Sequence, residues 1–111
     1  FKQTLKNYCF FDAPHIVTIT TPKALGTYGV LDCGAFITAF TLAATAKGIA
    51  TIPQAAPAGL APILRDYLSL DEERDFVCVI SFGYADKNDS ANKFRTTRAK
   101  IEEVVETLHQ K

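Results

Sequence analysis

Apolar residues dominate one long segment of the chain, from Tyr28 to Lys47, and they occupy nearly every side of a helix drawn through it. The length of the segment and its lack of alternation predict an α-helix of roughly 30 Å, at about 1.5 Å per residue. Asp32 and Lys47 suit the two ends of its dipole, and Gly48 suits the left-handed cap that ends a helix. Because such a helix offers water no polar side, we expect it to be buried.

Shorter patterned segments lie on both sides of this helix. β-branched residues at 15–20 and a continuous apolar run at 76–80 predict two strands, the second covered on both faces. The segment 57–70 predicts a helix with Pro62 in its first turn, and the apolar stripe of 100–108 predicts a last, amphipathic helix. These elements together indicate one α+β domain.

Two segments have neither helical nor strand periodicity. The first is 48–56, directly after the long helix, and we predict a loop that forms a rigid base for a flat ligand. The second is the polar stretch 85–99, and loops of this length in compact domains tend to be functional. No repeat and no domain boundary is visible, so the chain is expected to be a single domain over 1–111.

Small side chains recur along one side of the long helix, at positions i, i+4, i+7 and i+11. They are Gly34, Thr38, Thr41 and Thr45. A stripe of this kind allows another helix to approach closely. Two interpretations remain open from the pattern alone, namely packing inside the core of this chain and a seam between two subunits.

The composition is that of a small globular protein, with 111 residues and an apolar fraction of 48%. Twelve basic and 12 acidic residues cancel, which argues against a nucleic-acid partner. We expect no signal peptide and no membrane span, since the longest apolar stretch, 33–46, falls short of the ~20 residues that a bilayer requires. The chain begins at Phe1 and contains no Met, so we expect a fragment, a processed product or a trimmed chain.

The residues that most often carry chemistry are sparse. Three cysteines without C-x-x-C spacing, Cys9, Cys33 and Cys78, predict neither a disulfide framework nor a zinc site, and they favour a cytoplasmic setting. Cys33 and Cys78 are interpreted as small buried hydrophobes, with a redox role as the alternative. His15 is interpreted as structural, and the carboxylates at 71–75 as a solvated turn. No dinucleotide-binding or phosphate-loop motif is present.

Arg95 and Arg98 are the most suggestive charged pair, three residues apart in a polar stretch. Two guanidinium groups can hold a phosphate through charge-assisted hydrogen bonds. Ordinary surface charge is the alternative. From the pattern alone the chain is an α+β domain with a candidate anion site.

The order of several motifs resembles the flavin-dependent nitroreductase family, in a form similar to its nitrobenzoate-reductase branch. The segments that carry the resemblance are Leu31-Asp32-Cys33-Gly34-Ala35, Leu42-Ala43-Ala44, Ala46-Lys47-Gly48-Ile49-Ala50-Thr51, Val79 to Asp86, and Asn92-x-Phe94-Arg95-Thr96-x-Arg98-Ala99 with Ile101 to Val105. The match runs in order from about Ala13 to Val105. Each motif is weak alone, but the ordered set is specific.

The resemblance implies a fold, a cofactor and partners. The fold is the C-terminal portion of a nitroreductase-type α+β sandwich, with an antiparallel sheet flanked by helices and a long central helix at a homodimer interface. The cofactor is FMN, reduced by NAD(P)H. By the resemblance, Pro53, Gln54 and Ala55 lie beside the isoalloxazine ring, where backbone N–H groups tune it. By the same resemblance, Arg98 and Arg95 hold the FMN phosphate.

Two departures from the family pattern matter. Lys100 stands where many relatives have Pro. Family chains run to about 200 residues, close to the usual size of one domain, and they begin with an Arg-x-Ser-x-Arg segment that nothing in 1–12 resembles. We therefore expect only the C-terminal half of the domain, and half of the flavin site, in this chain.

The function expected from the resemblance is an FMN-dependent NAD(P)H oxidoreductase that reduces nitroaromatic or quinone-like acceptors by ping-pong hydride transfer. This fragment alone is expected to be inactive. The alternative is a truncated, non-catalytic remnant or accessory chain that keeps only the fold and the dimerisation surface. A generic phosphate-ligand module that uses Arg95 and Arg98 is a third reading.

Overall fold

The computed structural model describes residues 2–107, and their side chains from Thr4 onward. Leu108, the last residue of the predicted C-terminal helix, lies outside the described residues. In chain order the helices and strands are α1 (Lys2–Leu5), β1 (His15–Pro22), α2 (Gly26–Ala46), β2 (Ala50–Gln54), α3 (Ala61–Tyr67), β3 (Arg74–Gly83) and α4 (Ile101–Val104). Short 3-10 turns lie at Lys6–Asp12, Lys23–Leu25, Ala56–Leu60 and Ser90–Lys93. We call the first of these the N-terminal turn.

The three strands form one antiparallel sheet in the order β1-β3-β2. His15 of β1 pairs with Phe82 of β3, and Gln54 of β2 pairs with Val79 of β3. Both strands predicted from the pattern are confirmed, and the central strand β3 is buried from Cys78 to Ser81, as its apolar run indicates.

The prediction of a loop over 48–56 is wrong for residues 50–54, which form β2. Its five residues carry no alternating pattern, and Pro53 speaks locally against a strand. Pairing with the buried strand β3 overrides that weak local signal. In the described sheet β2 is an edge strand, where the missing N–H of Pro53 costs little.

Successive side chains alternate between the two faces of the sheet. On one face Ile19, Cys78 and Ile80 form a buried cluster, and α2 packs on it through Cys33 and Ile37. On the other face Ser81 is buried beneath the N-terminal turn and the turn at 56–60, which contact the sheet from that side. The sheet is therefore the middle layer between α2 and the two 3-10 turns.

Helix α2 matches the prediction in type and nearly in its ends, but the expected all-round burial is wrong. Only Gly29 and Ala44 are buried, while Leu31 and Leu42 are each 66% exposed. A three-stranded sheet covers one stripe of a helix and no more. With its preceding turn, the segment Lys23–Ala46 is also long and apolar enough to cross a membrane by length and composition, a test that core helices of soluble proteins pass too.

The end of the described chain is more extended than the pattern predicts. The helix expected over 100–108 is limited to Ile101–Val104, and Val105 has extended backbone angles (φ −124°, ψ 120°). Ile101 and Val104 are each 71% exposed. A helix this short is marginal without a surface on which to bury its apolar stripe, and the described chain offers it none. The helix predicted at 57–70 is confirmed as a 3-10 turn continued by α3, with Pro62 in the first turn.

Candidate functional site

The three residues predicted to lie beside a flavin ring are at the end of the edge strand β2, and their side chains alternate. Pro53 and Ala55 are exposed, whereas Gln54 between them is only 3% exposed. The backbone of this segment therefore borders an open edge of the described sheet. In the described sheet no strand pairs with β2 on its outer side.

Gln54 points into the molecule and joins three segments of the chain. The hydroxyl of Ser81 on β3 donates to Gln54 Oε1. Gln54 Nε2 donates to the backbone carbonyl of Asn7 at 3.0 Å and to Asn7 Oδ1 at 3.2 Å, both in the N-terminal turn. These bonds engage both the oxygen and the nitrogen of the Gln54 side-chain amide. Any contact of Gln54 with a ring therefore has to come from its backbone.

Sequence reasoning missed Asn7 and Ser81 as partners of this residue. Ser81 ends the apolar run of β3, and a polar residue buried in such a run needs a hydrogen-bond partner. The position of Ser81 in the sequence therefore indicated that its hydroxyl has a hydrogen-bond partner. The identity of the partner depends on the pairing of β2 with β3, which local periodicity does not reveal.

Arg95 and Arg98 lie on the exposed, extended stretch that follows the last 3-10 turn. Arg95 Nη1 donates to the carbonyls of Asn92 (2.7 Å) and Phe94 (2.8 Å). Arg98 Nη1 donates to Thr96 Oγ1 and to the Thr97 carbonyl (3.2 Å). Within residues 2–107 neither arginine has a carboxylate partner, and Nε and Nη2 make no hydrogen bond there. Their remaining donors match the chemistry of a phosphate.

The two predicted halves of the site are not joined to one another in the described part of the chain. No hydrogen bond there links the 53–55 segment to either arginine. A cleft of about 440 Å³ lies instead at the opposite end of β2, between Ala50–Ile52, the end of β3 and the loop that follows it. Lys6 and Asp89, which line this cleft, form an ion pair at 3.8 Å.

Of the two cysteines predicted to be buried, Cys78 is buried and Cys33 is half-buried. His15 stacks on Phe82 with ring centroids 5.3 Å apart. Asp71 accepts a hydrogen bond from the backbone of Glu73, as in a solvated turn. Cys78 is buried, and burial, with a smaller effect from the Cys33 thiol, raises its pKa. His109 lies outside the described residues, which contain no cluster of three or more metal-ligating side chains.

Comparison with known proteins identifies the family to which this chain is similar. The sequence profile of the Nitroreductase family matches residues 1–84. The chain is 37% identical over 92 residues to a 4-nitrobenzoate reductase of Pseudomonas putida, covering 83% of this chain and 40% of that protein. It is 30% identical over 105 residues to a chloronitrobenzene nitroreductase of Comamonas testosteroni, covering 95% of this chain and 46% of that protein.

A solved structure agrees with both matches. It is the FMN-dependent nitroreductase NfnB from Mycobacterium smegmatis in complex with NADPH, which superposes with a TM-score of 0.87 at 32% identity. The superposition covers 94% of this chain and 46% of that one. The chain therefore belongs to the nitroreductase family and has part of the nitroreductase α+β fold. It spans less than half the length of these three relatives.

Proposed function

We propose that this chain is part of an FMN-dependent NAD(P)H oxidoreductase that reduces nitroaromatic compounds. The observation that carries the proposal is family membership over residues 1–84, together with a relative that is FMN-dependent and was solved with NADPH. Nitrobenzoate and chloronitrobenzene reductases among the relatives point to nitroaromatic acceptors. Quinone-like acceptors and a ping-pong sequence of two half-reactions belong to the same proposal.

The chain's own residues fit the two ends of FMN. Pro53 and Ala55 offer an open backbone edge to the ring, and Arg98, with Arg95, offers unengaged guanidinium donors to the phosphate. When bound, FMN supplies hydride acceptance from NAD(P)H and hydride delivery to the acceptor. The protein's part is to hold the ring at a fixed edge and to keep the phosphate in place.

The same proposal includes a homodimer formed through α2. Three threonine hydroxyls on the exposed stripe donate to carbonyls of their own helix, Thr38 to Gly34 at 3.0 Å, Thr41 to Thr38 at 3.0 Å and Thr45 to Thr41 at 2.8 Å. The hydroxyls need no outside partner, so the stripe can pack against an apolar surface. Beyond the local backbone of α2, no heavy atom of the described residues lies within 4 Å of a Cβ built on Gly34, which leaves room for a second helix.

A cytoplasmic location and the absence of nucleic-acid and membrane partners complete the proposal. Three free cysteines and a net charge of zero support it.

The decisive experiment uses the protein at its full natural length, purified and tested for bound flavin by visible absorbance. NADPH oxidation is then followed with 4-nitrobenzoate as acceptor. We expect stoichiometric FMN, and turnover that requires both FMN and acceptor. Stoichiometric FMN without NAD(P)H oxidation by any acceptor would refute the reductase proposal and leave a non-catalytic flavin-binding chain. Absence of flavin binding would refute the cofactor as well.

A further inference from the structure

We propose that Gln54 is a positioning residue, which fixes the flavin-side edge of β2 through its buried side chain without touching the flavin through that side chain. The inference rests on the proposed function, because it concerns the strand end that would border the ring. It assigns to Gln54 a role different from direct ring contact.

The first step is that the Gln54 side-chain amide is hydrogen-bonded at both its oxygen and its nitrogen. Its carbonyl accepts from Ser81, and its amide donates twice to Asn7, at 3.0 Å and 3.2 Å. Gln54 is 3% exposed and Ser81 is 1% exposed, so water cannot replace a lost bond without entering the interior. A buried amide that is hydrogen-bonded at both its oxygen and its nitrogen is held in one orientation.

The second step is the place of Gln54 in the strand. It is the last residue of β2, and in the described sheet only β3 pairs with this strand. After Gln54 the chain leaves the sheet, so the ladder no longer holds Ala55. The side chain of Gln54 adds to the ladder a second attachment, to β3 and to the N-terminal turn together. It thereby sets the direction in which the exposed backbone of Pro53 and Ala55 faces.

The third step is the consequence for binding. If the hydrogen bonds of Gln54 to Ser81 and Asn7 are lost, the end of β2 gains conformational freedom. FMN binding must then order this segment again. FMN affinity then falls although no group on the flavin has lost its direct partner. Ordering about one backbone residue again on binding is expected to weaken FMN affinity about tenfold.

The test compares Gln54→Met and Gln54→Glu with the wild type, in the protein of full natural length. Methionine keeps the length of the side chain but makes none of the three bonds. A protonated glutamic acid can still donate one hydrogen bond to Asn7, whereas the ionised carboxylate would face the Asn7 oxygens without a hydrogen. FMN affinity of Gln54→Glu should therefore fall as pH rises through the pKa of the new carboxyl group, which burial raises.

The controls separate this effect from general titration. Asn88→Asp makes the same amide-to-acid change at an exposed position and should show the pH profile of the wild type. The pH dependence of FMN affinity in the wild type shows the effect of the titratable side chains on the two elements that contact Gln54. These side chains include Lys6, Tyr8, Cys9 and Asp12 on the N-terminal turn and Arg74, Asp75 and Cys78 on β3.

A flavin-free measurement completes the design. In the apoprotein, amide hydrogen exchange at Ala55 and across the N-terminal turn should be faster in Gln54→Met than in the wild type. Unchanged exchange together with unchanged FMN affinity in Gln54→Met overturns the inference, as does a wild-type pH profile in Gln54→Glu. Failure of the wild type itself to bind FMN overturns the proposed function instead, so the two failures are distinguishable.

Discussion

Gly29 of α2 has no room for a Cβ beside β1, and replacing it with alanine should destabilise the protein. A Cβ built at Gly29 lies 2.8 Å from Leu25 Cβ, and it lies closer still to Thr21 Oγ1. Thr21 is 4% exposed, so its hydroxyl cannot move aside into water. The helix can accept the new methyl group only by shifting away from β1.

The magnitude follows from two opposing effects. Forcing an extra carbon into a packed interior costs about 1–3 kcal/mol. Alanine gains about 1 kcal/mol over glycine in the middle of a helix. We therefore expect Gly29→Ala to lower the free energy of unfolding by about 1–2 kcal/mol, since the obstructing atoms include a Cβ that cannot rotate away.

The assay is urea unfolding of the full-length protein, with matched variants. Gly34→Ala in the same helix meets no heavy atom of the described residues within 4 Å beyond the local helix backbone, so it should show only the propensity gain of up to about 1 kcal/mol. Thr21→Ala removes the nearest obstructing atom, so Gly29→Ala should cost less in that background. If Gly29→Ala proves as stable as Gly34→Ala, the close approach of α2 to β1 is wrong.

Five further predictions concern the proposed site, the dimer, the backbone and the cysteines. Arg98→Ala should weaken FMN binding by about 1.5–3 kcal/mol if it loses a charge-assisted bond to the phosphate, and unchanged affinity in a fluorescence titration would refute that role. Gly34→Arg places a charge on the exposed stripe and should convert dimer to monomer in sedimentation, whereas a retained dimer would exclude this seam. Asp12 has a φ of 57°, so Asp12→Gly should raise the free energy of unfolding by about 0.5–1 kcal/mol in urea, and a loss would contradict the assigned strain. A thiol reagent should modify exposed Cys9 before buried Cys78 in the native protein. Because the pKa of Cys78 is raised above 9.0, the stability that its neutral thiol contributes should be lost as pH rises through the folded pKa, which unfolding midpoints across alkaline pH would measure.

Local pattern predicts the elements whose own side chains decide their structure. β1 is dense in β-branched residues, β3 is an apolar run, and α2 is too long and too continuous to be a strand. β2 lacks any such signal, because Thr51 and Pro53 become part of a strand only through the partner that pairs with them. Pairing between segments about 30 residues apart is a tertiary effect, and periodicity in a short window does not contain it.

The candidate site shows the same division between local and tertiary information. The resemblance singled out the segment around Gln54, and the structure places its neighbours Pro53 and Ala55 at an open edge. The inward turn of the Gln54 side chain depends on Ser81 and Asn7, which are 27 and 47 residues away in sequence. Residue type alone does not indicate whether a glutamine faces a ligand or the interior.

The exposed side of α2 is the part of the described surface that most strongly indicates a binding partner. One stripe of the helix, with Cys33 and Ile37, is used by the sheet. Leu31 and Leu42 lie outside that stripe and are each 66% exposed. They are three or four residues from Gly34, Thr38 and Thr45, so they flank the small residues on the same exposed side. Exposed apolar surface of this extent marks a site of interaction. The partner helix proposed above would account for the small-residue stripe, since close approach needs small side chains. Leu31 and Leu42 flank this stripe, so the same partner would cover them at its margin. Gly34→Arg therefore probes this whole side of the helix.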